Sequence, residues 1–344
     1  MTARTWLADS AQPLAQAHDV ALLDLDGVCY AGQLPIPHAA AALAASHKAG
    51  LRHQFVTNNA SRTPEQVAAH LRELGIAAQA DQVLTAAQDV AAIMAEQLPA
   101  GAAVLVVGSP ALSEAVQAEG LRPVSSVDDA PVAVVQGLDK TLDWQRLTEG
   151  ALAISRGAAY YASNLDSTLP TERGMALGNG ALVAALQHAT GVAPTPAGKP
   201  LAGIFARAVA RSGARNPLGV GDRLGTDIRG AAAAAVPSLH VLTGVNDARE
   251  VALADPPERP AYLAVDLRGL HEVHPEVEAL PNGARCRQAE AVVVEGHVRI
   301  DRHPLQEGAQ LTGDQYRAVV CAVWAARDVH RAVTVPHFTV QAAC

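Results

Sequence analysis

Aromatic side chains make up only 3% of this 344-residue chain, so its cores must be filled by aliphatic residues and, given the abundance of alanine, by close helix contacts. That scarcity bears on packing and says nothing of a substrate. Cysteine is as sparse: Cys29, Cys286, Cys321 and Cys344 are too scattered for the disulfide framework of a small secreted domain. Cys29 reads as a small buried residue rather than an oxidation sensor, although it lies close to an acidic segment. Basic clusters are missing as well. With a net charge of −8 and 17% charged residues, no patch could neutralise a run of nucleic-acid phosphates. No apolar run approaches membrane-spanning length, and the first residues carry Asp9 without the apolar segment of a secretory leader. A soluble cytoplasmic protein with neither a nucleic-acid nor a membrane partner is expected.

What is present is four short segments in order. Asp24-Leu25-Asp26-Gly27 follows the unbroken apolar run Val20-Ala21-Leu22-Leu23, which predicts a strand buried on both faces of a parallel sheet. The acids then fall at its C-terminal end, where open α/β sheets bind ligands. Alternation sends Asp24 and Asp26 to one side, and Gly27 lets the chain turn away. One such acid can attack while the other moves a proton. Thr57-Asn58-Asn59 closes a second run, offering a hydroxyl and backbone N–H groups to an anion, or simply shaping a turn; Thr63-Pro64 then opens a helix. Lys199, in Gly198-Lys199-Pro200, precedes an amphipathic helix over 201–211 and can supply a fixed positive charge. Finally Gly221-Asp222-Arg223-Leu224-Gly225-Thr226-Asp227 puts Asp222 at a third strand end, with a helix expected from near Ile228. A dinucleotide reading of Gly219-Val220-Gly221 fails, because the glycine at the sixth position is missing and Asp222 would point at the pyrophosphate.

In this order the segments resemble the four motifs of the haloacid-dehalogenase (HAD) superfamily. Within it the chain is similar to the NagD or p-nitrophenyl-phosphatase subfamily, whose C2 cap signature is matched by Asn164-Leu165-Asp166, Pro170 and Gly178-Asn179-Gly180-Ala181. The stretch Leu169-Pro170-Thr171-Glu172-Arg173-Gly174 and the extra C-terminal segment resemble the actinobacterial glycerol 3-phosphate phosphatases of that group. One departure is Val28, where Thr is common, at a position with no chemical role.

The resemblance implies a Rossmann-like α/β core with a parallel sheet and an inserted α/β cap. It makes Asp24 the nucleophile of an aspartyl-phosphate intermediate and Asp26 the general acid, then base. Phosphate and several carboxylates in one cleft repel, which calls for a divalent cation and Lys199. Mg²⁺ prefers oxygen ligands, and Asp24, the Asp26 carbonyl and Asp222 make a reasonable set, with Asp227 holding a metal-bound water. Thr57, Asn58, Asn59 and Lys199 would hold the phosphate. Asn164, Asp166, Leu169 and Arg173 would set specificity, with Glu172 beside them. A carboxylic acid two residues after the nucleophile favours phosphatase or phosphomutase chemistry over that of dehalogenases and P-type ATPases, and a large cap over the site suits hydrolysis of small substrates rather than a mutase. The expected activity is Mg²⁺-dependent hydrolysis of a small phosphorylated metabolite, glycerol 3-phosphate first. The alternatives are phosphoglycolate, pyridoxal phosphate or a sugar phosphate, or a binding protein that has lost catalysis.

The rest of the chain fits a multi-domain organisation. Alternating strand and helix patterns over 103–107, 110–119, 132–136, 144–156 and 158–163 predict a second α/β unit inserted in the first. The expected boundaries are a core over 1–83 and 187–275, a cap over 84–186 and a small α+β lobe over 276–344, docked on the core and compatible with a homodimer. Residues 247–260 read as a surface loop before a last core strand at 262–265. A hairpin over 291–301, a capped helix from Thr312 to Asp328 and a strand over 332–340 are expected in the lobe. Six of the thirteen histidines lie between His271 and His337, without the spacing that a zinc site requires.

Overall fold

The computed structural model describes residues 6–171 and 173–342, so Glu172 and Cys344 lie outside the described residues. The chain divides into two compact units, one drawn from segments 1–54, 74–77 and 209–344 and the other from 55–73 and 78–208.

The first unit is organised around Val20–Leu23, all four of whose residues are buried, as an uninterrupted apolar run requires. It pairs in parallel with Pro217–Gly221, which pairs with Ser238–Val241, which pairs with Tyr262–Ala264. On the other side of Val20–Leu23, the Arg52 N–H donates to the Asp19 carbonyl at 3.1 Å where the strand Arg52–Thr57 starts. Val20–Leu23, Pro217–Gly221, Ser238–Val241 and Tyr262–Ala264 run the same way, which brings their C-terminal ends to one edge.

The C-terminal residues of this unit form a five-stranded antiparallel sheet, from Val277–Leu280 through Gly283–Cys286, Ala289–Val294 and His297–Ile300 to His303–Pro304. The 16-residue helix Gly313–Asp328 covers it, started by a capping box between Thr312 and Gln315. Sheet and helix share one apolar cluster with the parallel-sheet layer: Leu224, Ile228, Val251 and Leu263 pack with Cys286, Val293, Val319 and Trp324. Trp324 is fully buried, its indole N–H donates to the Val251 carbonyl at 3.0 Å, and the Arg259 guanidinium lies 5.1 Å from its ring centroid. Arg259 also grips Asp328 with two hydrogen bonds of 2.9 and 2.7 Å.

The structure corrects two expectations. Residues 247–260 are not a surface loop: Asp247 and Glu250 form a capping box that starts the helix Ala248–Ala252, a 3-10 turn follows at Pro256–Glu258, and Val251 and Arg259 are buried. Asp-x-x-Glu ahead of apolar residues outweighs the prolines. The helix expected near Ile228 is found at Arg229–Ala233, entered through a π-turn at Leu224–Ile228. The final strand is confined to Phe338–Val340, which pairs in parallel with Ala309–Leu311. The histidines at 271 and 274 hydrogen-bond the carbonyls of Ala42 and Gly269, which is structural pairing.

In the second unit a five-stranded parallel sheet has the order Thr195–Pro196, Ala159–Ala162, Ala133–Gln136, Ala103–Val107, Arg122–Val124. Strand alternation divides its core in two. Val104 and Val106 join Val90, Met94, Leu112 and Val116 on one face, whereas Leu105 and Val107 join Ile154, Val183 and Leu186 on the other. Thr168–Thr171 and Gly174–Leu177 form an antiparallel ribbon, and Phe55–Thr57 pairs with Val83–Thr85. Among the described residues no helix is long and apolar enough to cross a membrane.

Two buried histidines of the first unit make its stability acid-sensitive. Burial, reinforced by His47, lowers His53 to about 4, and burial lowers His274 to about 4 against the ordinary 6.5. Protons therefore bind the unfolded chain first. The stabilisation from keeping these rings neutral is complete above pH 6.5 and is lost as pH falls towards 4. Between pH 7.5 and pH 5 each should cost on the order of 1–2 kcal/mol. Urea unfolding at the two pH values checks this, and His274→Gln should flatten the dependence.

Candidate active site

The first unit gathers its acids at the ends of two neighbouring strands. Asp24 follows Val20–Leu23 and its N–H donates to the Val220 carbonyl at 2.9 Å; Asp222 follows Pro217–Gly221 and is completely buried. Asp227 sits in the π-turn, also buried, with its Oδ2 accepting from the Arg223 N–H at 3.1 Å. Carboxylate oxygens of Asp24, Asp222 and Asp227 lie within 4.8 Å of one another. Asp26 is exposed, and its Oδ1 accepts from the Gly32 N–H at 3.2 Å.

A loop that the motif pattern does not include completes this cluster. After Ser238–Val241, the Val245 N–H donates to Asp222 Oδ2 at 2.7 Å, the Thr243 hydroxyl donates to the Gly27 carbonyl at 2.5 Å, and Asn246 Oδ1 accepts from the Leu224 N–H at 2.8 Å. Its signal was Leu242-Thr243-Gly244 at the end of one more apolar run. Gly27, at φ +92°, and Gly244 both stand where a Cβ would overlap the Asp222 carboxylate, so glycine is needed at each for close approach. His240 Nε2 lies 2.9 Å from the Asp222 carbonyl, and burial lowers the ring to about 4. Cys29 is buried; burial first, then Asp24 and Asp26, pushes its thiol far above the ordinary range and leaves it inert.

Three carboxylates this close and this buried repel one another unless a cation joins them. The donor set is entirely oxygen, which suits a hard divalent ion and not a thiolate- or imidazole-seeking one. The residues present therefore fit Mg²⁺ or Ca²⁺.

The second unit assembles the other group of motif residues. Lys199 is only 4% exposed, and its ammonium donates to the Val56 carbonyl at 3.2 Å, so it is no solvated surface lysine. Asn58 ties the loops together: its amide oxygen accepts from the Lys199 N–H at 2.7 Å, and its NH₂ donates to the Lys199 carbonyl at 3.0 Å and to Asp166 Oδ2 at 3.1 Å. The Asn164 amide donates to the Asn58 carbonyl at 2.8 Å, and the Asn179 amide to the Asn164 carbonyl at 2.8 Å. Gly178 and Gly180 bring their N–H groups onto the Ser167 and Asp166 carbonyls at 2.9 and 2.8 Å, where any Cβ would collide with backbone. The cap signature is thus a hydrogen-bonded frame around Asn58 and Lys199. The Asn59 N–H donates to the buried Thr57 hydroxyl at 3.1 Å, and the Asn59 amide oxygen accepts from the Ser61 and Arg62 N–H groups and the Ser61 hydroxyl, which shapes the turn. Leu169, half-buried, and Arg173, exposed, lie in the ribbon of residues 168–177.

The order of these segments agrees with the protein-family models. A haloacid dehalogenase-like hydrolase model matches residues 21–122 and a HAD-hydrolase-like model matches residues 196–270. The D-glycerol 3-phosphate phosphatase of Mycobacterium tuberculosis is 47% identical over 324 residues, covering 92% of this chain and 90% of that protein. The chain belongs to the haloacid dehalogenase-like hydrolases. An acid sugar phosphatase of Staphylococcus saprophyticus is 36% identical over 75% of this chain and 97% of its own. Among solved structures, the M. tuberculosis glycerol phosphate phosphatase in complex with magnesium has a TM-score of 0.83 at 44% identity, covering 96% of this chain and 95% of that one. A thermostable NPPase from Geobacillus stearothermophilus has a TM-score of 0.67 at 32% identity, over 74% of this chain and 98% of that one. The likeness to nitrophenyl-phosphatase-type structures places the chain in that branch of the HAD hydrolases.

The glycine cradle gives a test that does not touch a carboxylate. Gly244→Ala should displace the Asp222 side chain and weaken divalent-ion binding at least tenfold, while lowering the stability of the ion-free protein by about 1–3 kcal/mol without unfolding it. Isothermal titration with Mg²⁺ reads the first quantity and a melting curve the second.

Proposed function

We propose that this chain is a Mg²⁺-dependent phosphomonoesterase that works through an aspartyl-phosphate on Asp24, with glycerol 3-phosphate as its substrate. The cluster of Asp24, Asp222 and Asp227 at adjoining strand ends carries the chemistry, and 47% identity over nearly the whole length to a D-glycerol 3-phosphate phosphatase carries the substrate.

In this reading an Asp24 oxygen attacks phosphorus, the phosphorus–oxygen ester bond breaks, and the departing alkoxide takes the proton of Asp26. Asp26, now a carboxylate on an exposed and adaptable side chain, removes a proton from water as that water attacks phosphorus and the bond to Asp24 opens. Asp24, the Asp26 carbonyl and Asp222 would hold Mg²⁺, with Asp227 supporting a coordinated water; the ion supplies counter-charge and fixes the phosphate for attack. Lys199, with the Thr57 hydroxyl and the N–H groups at Asn58 and Asn59, balances the charge on the transferring oxygens. Asn164 and Asp166 orient that loop, while Leu169 and Arg173 bear on the leaving group. A small phosphorylated metabolite held in the cytoplasm suits this chemistry, and a second copy of the chain is the protein partner to look for by sedimentation.

The reading separates the two acids. Asp24→Asn should abolish turnover and phosphoryl-enzyme formation, whereas Asp26→Asn with an aryl phosphate should let the phosphoryl-enzyme accumulate, visible by intact mass. Steady turnover by Asp24→Asn would end the assignment. Excess chelator should remove activity and Mg²⁺ should restore it. For substrate, glycerol 3-phosphate should exceed phosphoglycolate and pyridoxal phosphate in kcat/KM. A tenfold preference for either of those, or for a sugar phosphate as the staphylococcal relatives suggest, overturns the glycerol assignment and leaves the phosphatase standing.

A further inference from the structure

Asp89 belongs to none of the motifs, yet it is among the most buried charged residues of the second unit, at 1% exposure. Its place is set from Thr85, which caps the helix Ala86–Gln97 through a reciprocal box with Gln88 and so puts Asp89 in the first turn, where a carboxylate faces the positive end of the helix. One carboxylate oxygen accepts from the Gly198 N–H at 2.9 Å and the other from Arg207 Nε at 3.1 Å. Arg207 comes from the helix Ala202–Ser212 that follows Lys199, and its two terminal nitrogens each lie 3.3 Å from Glu96.

The Lys199 backbone is therefore gripped from both sides. Asn58 holds its own N–H and carbonyl, while Asp89 holds the residue before it and, through Arg207, the helix after it. Gly198 is at φ +73°, and a Cβ there would meet Asn58 Oδ1 at 2.7 Å and the Ser163 carbonyl at 2.9 Å, so only glycine fits between these partners. A buried ion pair adds little net stability over apolar residues of similar volume. Stability alone does not account for a carboxylate here; the directed bond to Gly198 does.

We propose that Asp89, locked by Arg207, is a positioning residue that aims Lys199 at the substrate phosphate. The proposal rests on Lys199 being the phosphate's counter-charge. With the carboxylate gone, the loop gains freedom, the ammonium loses its fixed place, and phosphate binding in both ground and transition states weakens.

The test is a double-mutant cycle on the Mg²⁺-saturated enzyme, reading kcat/KM with an aryl phosphate and the inhibition constant of inorganic phosphate. Lys199→Met should lower kcat/KM about a hundredfold. Asp89→Asn should lower it about tenfold and raise the phosphate inhibition constant in step, yet cost less than about twofold in the Lys199→Met background. Arg207→Gln, at a residue nearer the surface, should show the same pattern at about threefold and stands in should Asp89→Asn fail to fold. Equal losses in both backgrounds would mean a merely structural role, and a folded Asp89→Asn with wild-type constants would end the proposal. A near-normal Lys199→Met would instead remove the counter-charge reading of Lys199, and the proposal with it.

Discussion

Three carboxylates within 4.8 Å of one another, two of them almost wholly buried, form an arrangement that no folded chain keeps without compensation. Much of the first unit can be understood as that compensation. A parallel sheet brings strand ends from distant sequence to one edge, which lets Asp24 and Asp222 meet although nearly two hundred residues separate them. Backbone N–H groups from the loop after Ser238–Val241 and from Arg223 are directed at the Asp222 and Asp227 oxygens. Gly27 and Gly244 then remove the side-chain atoms that would push the carboxylate away. What these devices leave is a compact all-oxygen donor set, and a divalent ion is its natural completion.

The second unit solves the converse problem of burying a cation. Lys199 is enclosed with its ammonium on a backbone carbonyl, and its loop is fixed by Asn58, Asp89 and the frame of Asn164, Asp166 and Asn179. Asn58 can bridge three partners because an amide both donates and accepts in a fixed plane, which neither a carboxylate nor an ammonium can do. The subsidiary motif in the cap is thereby explained physically: Gly178 and Gly180 are small because carbonyls of the Asn164–Asp166 stretch pass against them.

How much of this the amino acids disclose depends on the kind of signal. The apolar runs ending in Asp24, Thr57 and Asp222 fix strand ends, and the structure places them there, because a buried strand leaves its composition on every residue. The burial of Lys199 is not legible, since a lysine between glycine and proline reads the same on a surface. Nor is Asp89, whose meaning comes from a contact more than a hundred residues away. Two local signals are nevertheless present in the residues. Asp247-x-x-Glu250 is a capping box hidden by the prolines behind it, and Pro281-Asn282, which joins Val277–Leu280 to Gly283–Cys286 with Asn282 at φ +63°, is a recognisable turn signal.

The C-terminal sheet and helix contribute no acid to the cluster, and yet they are not a detachable ornament. Leu224 and Ile228, which bracket Asp227 in its π-turn, belong to the same apolar cluster as Val319, Val323 and Trp324 of the helix Gly313–Asp328. Val251 makes the link specific, packing in that cluster while its carbonyl holds the Trp324 indole. Trp324→Ala would therefore open a cavity beside Val251 in that shared cluster, at a cost of about 3–5 kcal/mol. Because Leu224 and Ile228 share that cluster with the lobe, damage to the lobe should loosen divalent-ion binding as well as lower stability. Stability and metal affinity are in this way coupled through one layer of aliphatic contacts, in a chain with few aromatics to spare for the purpose.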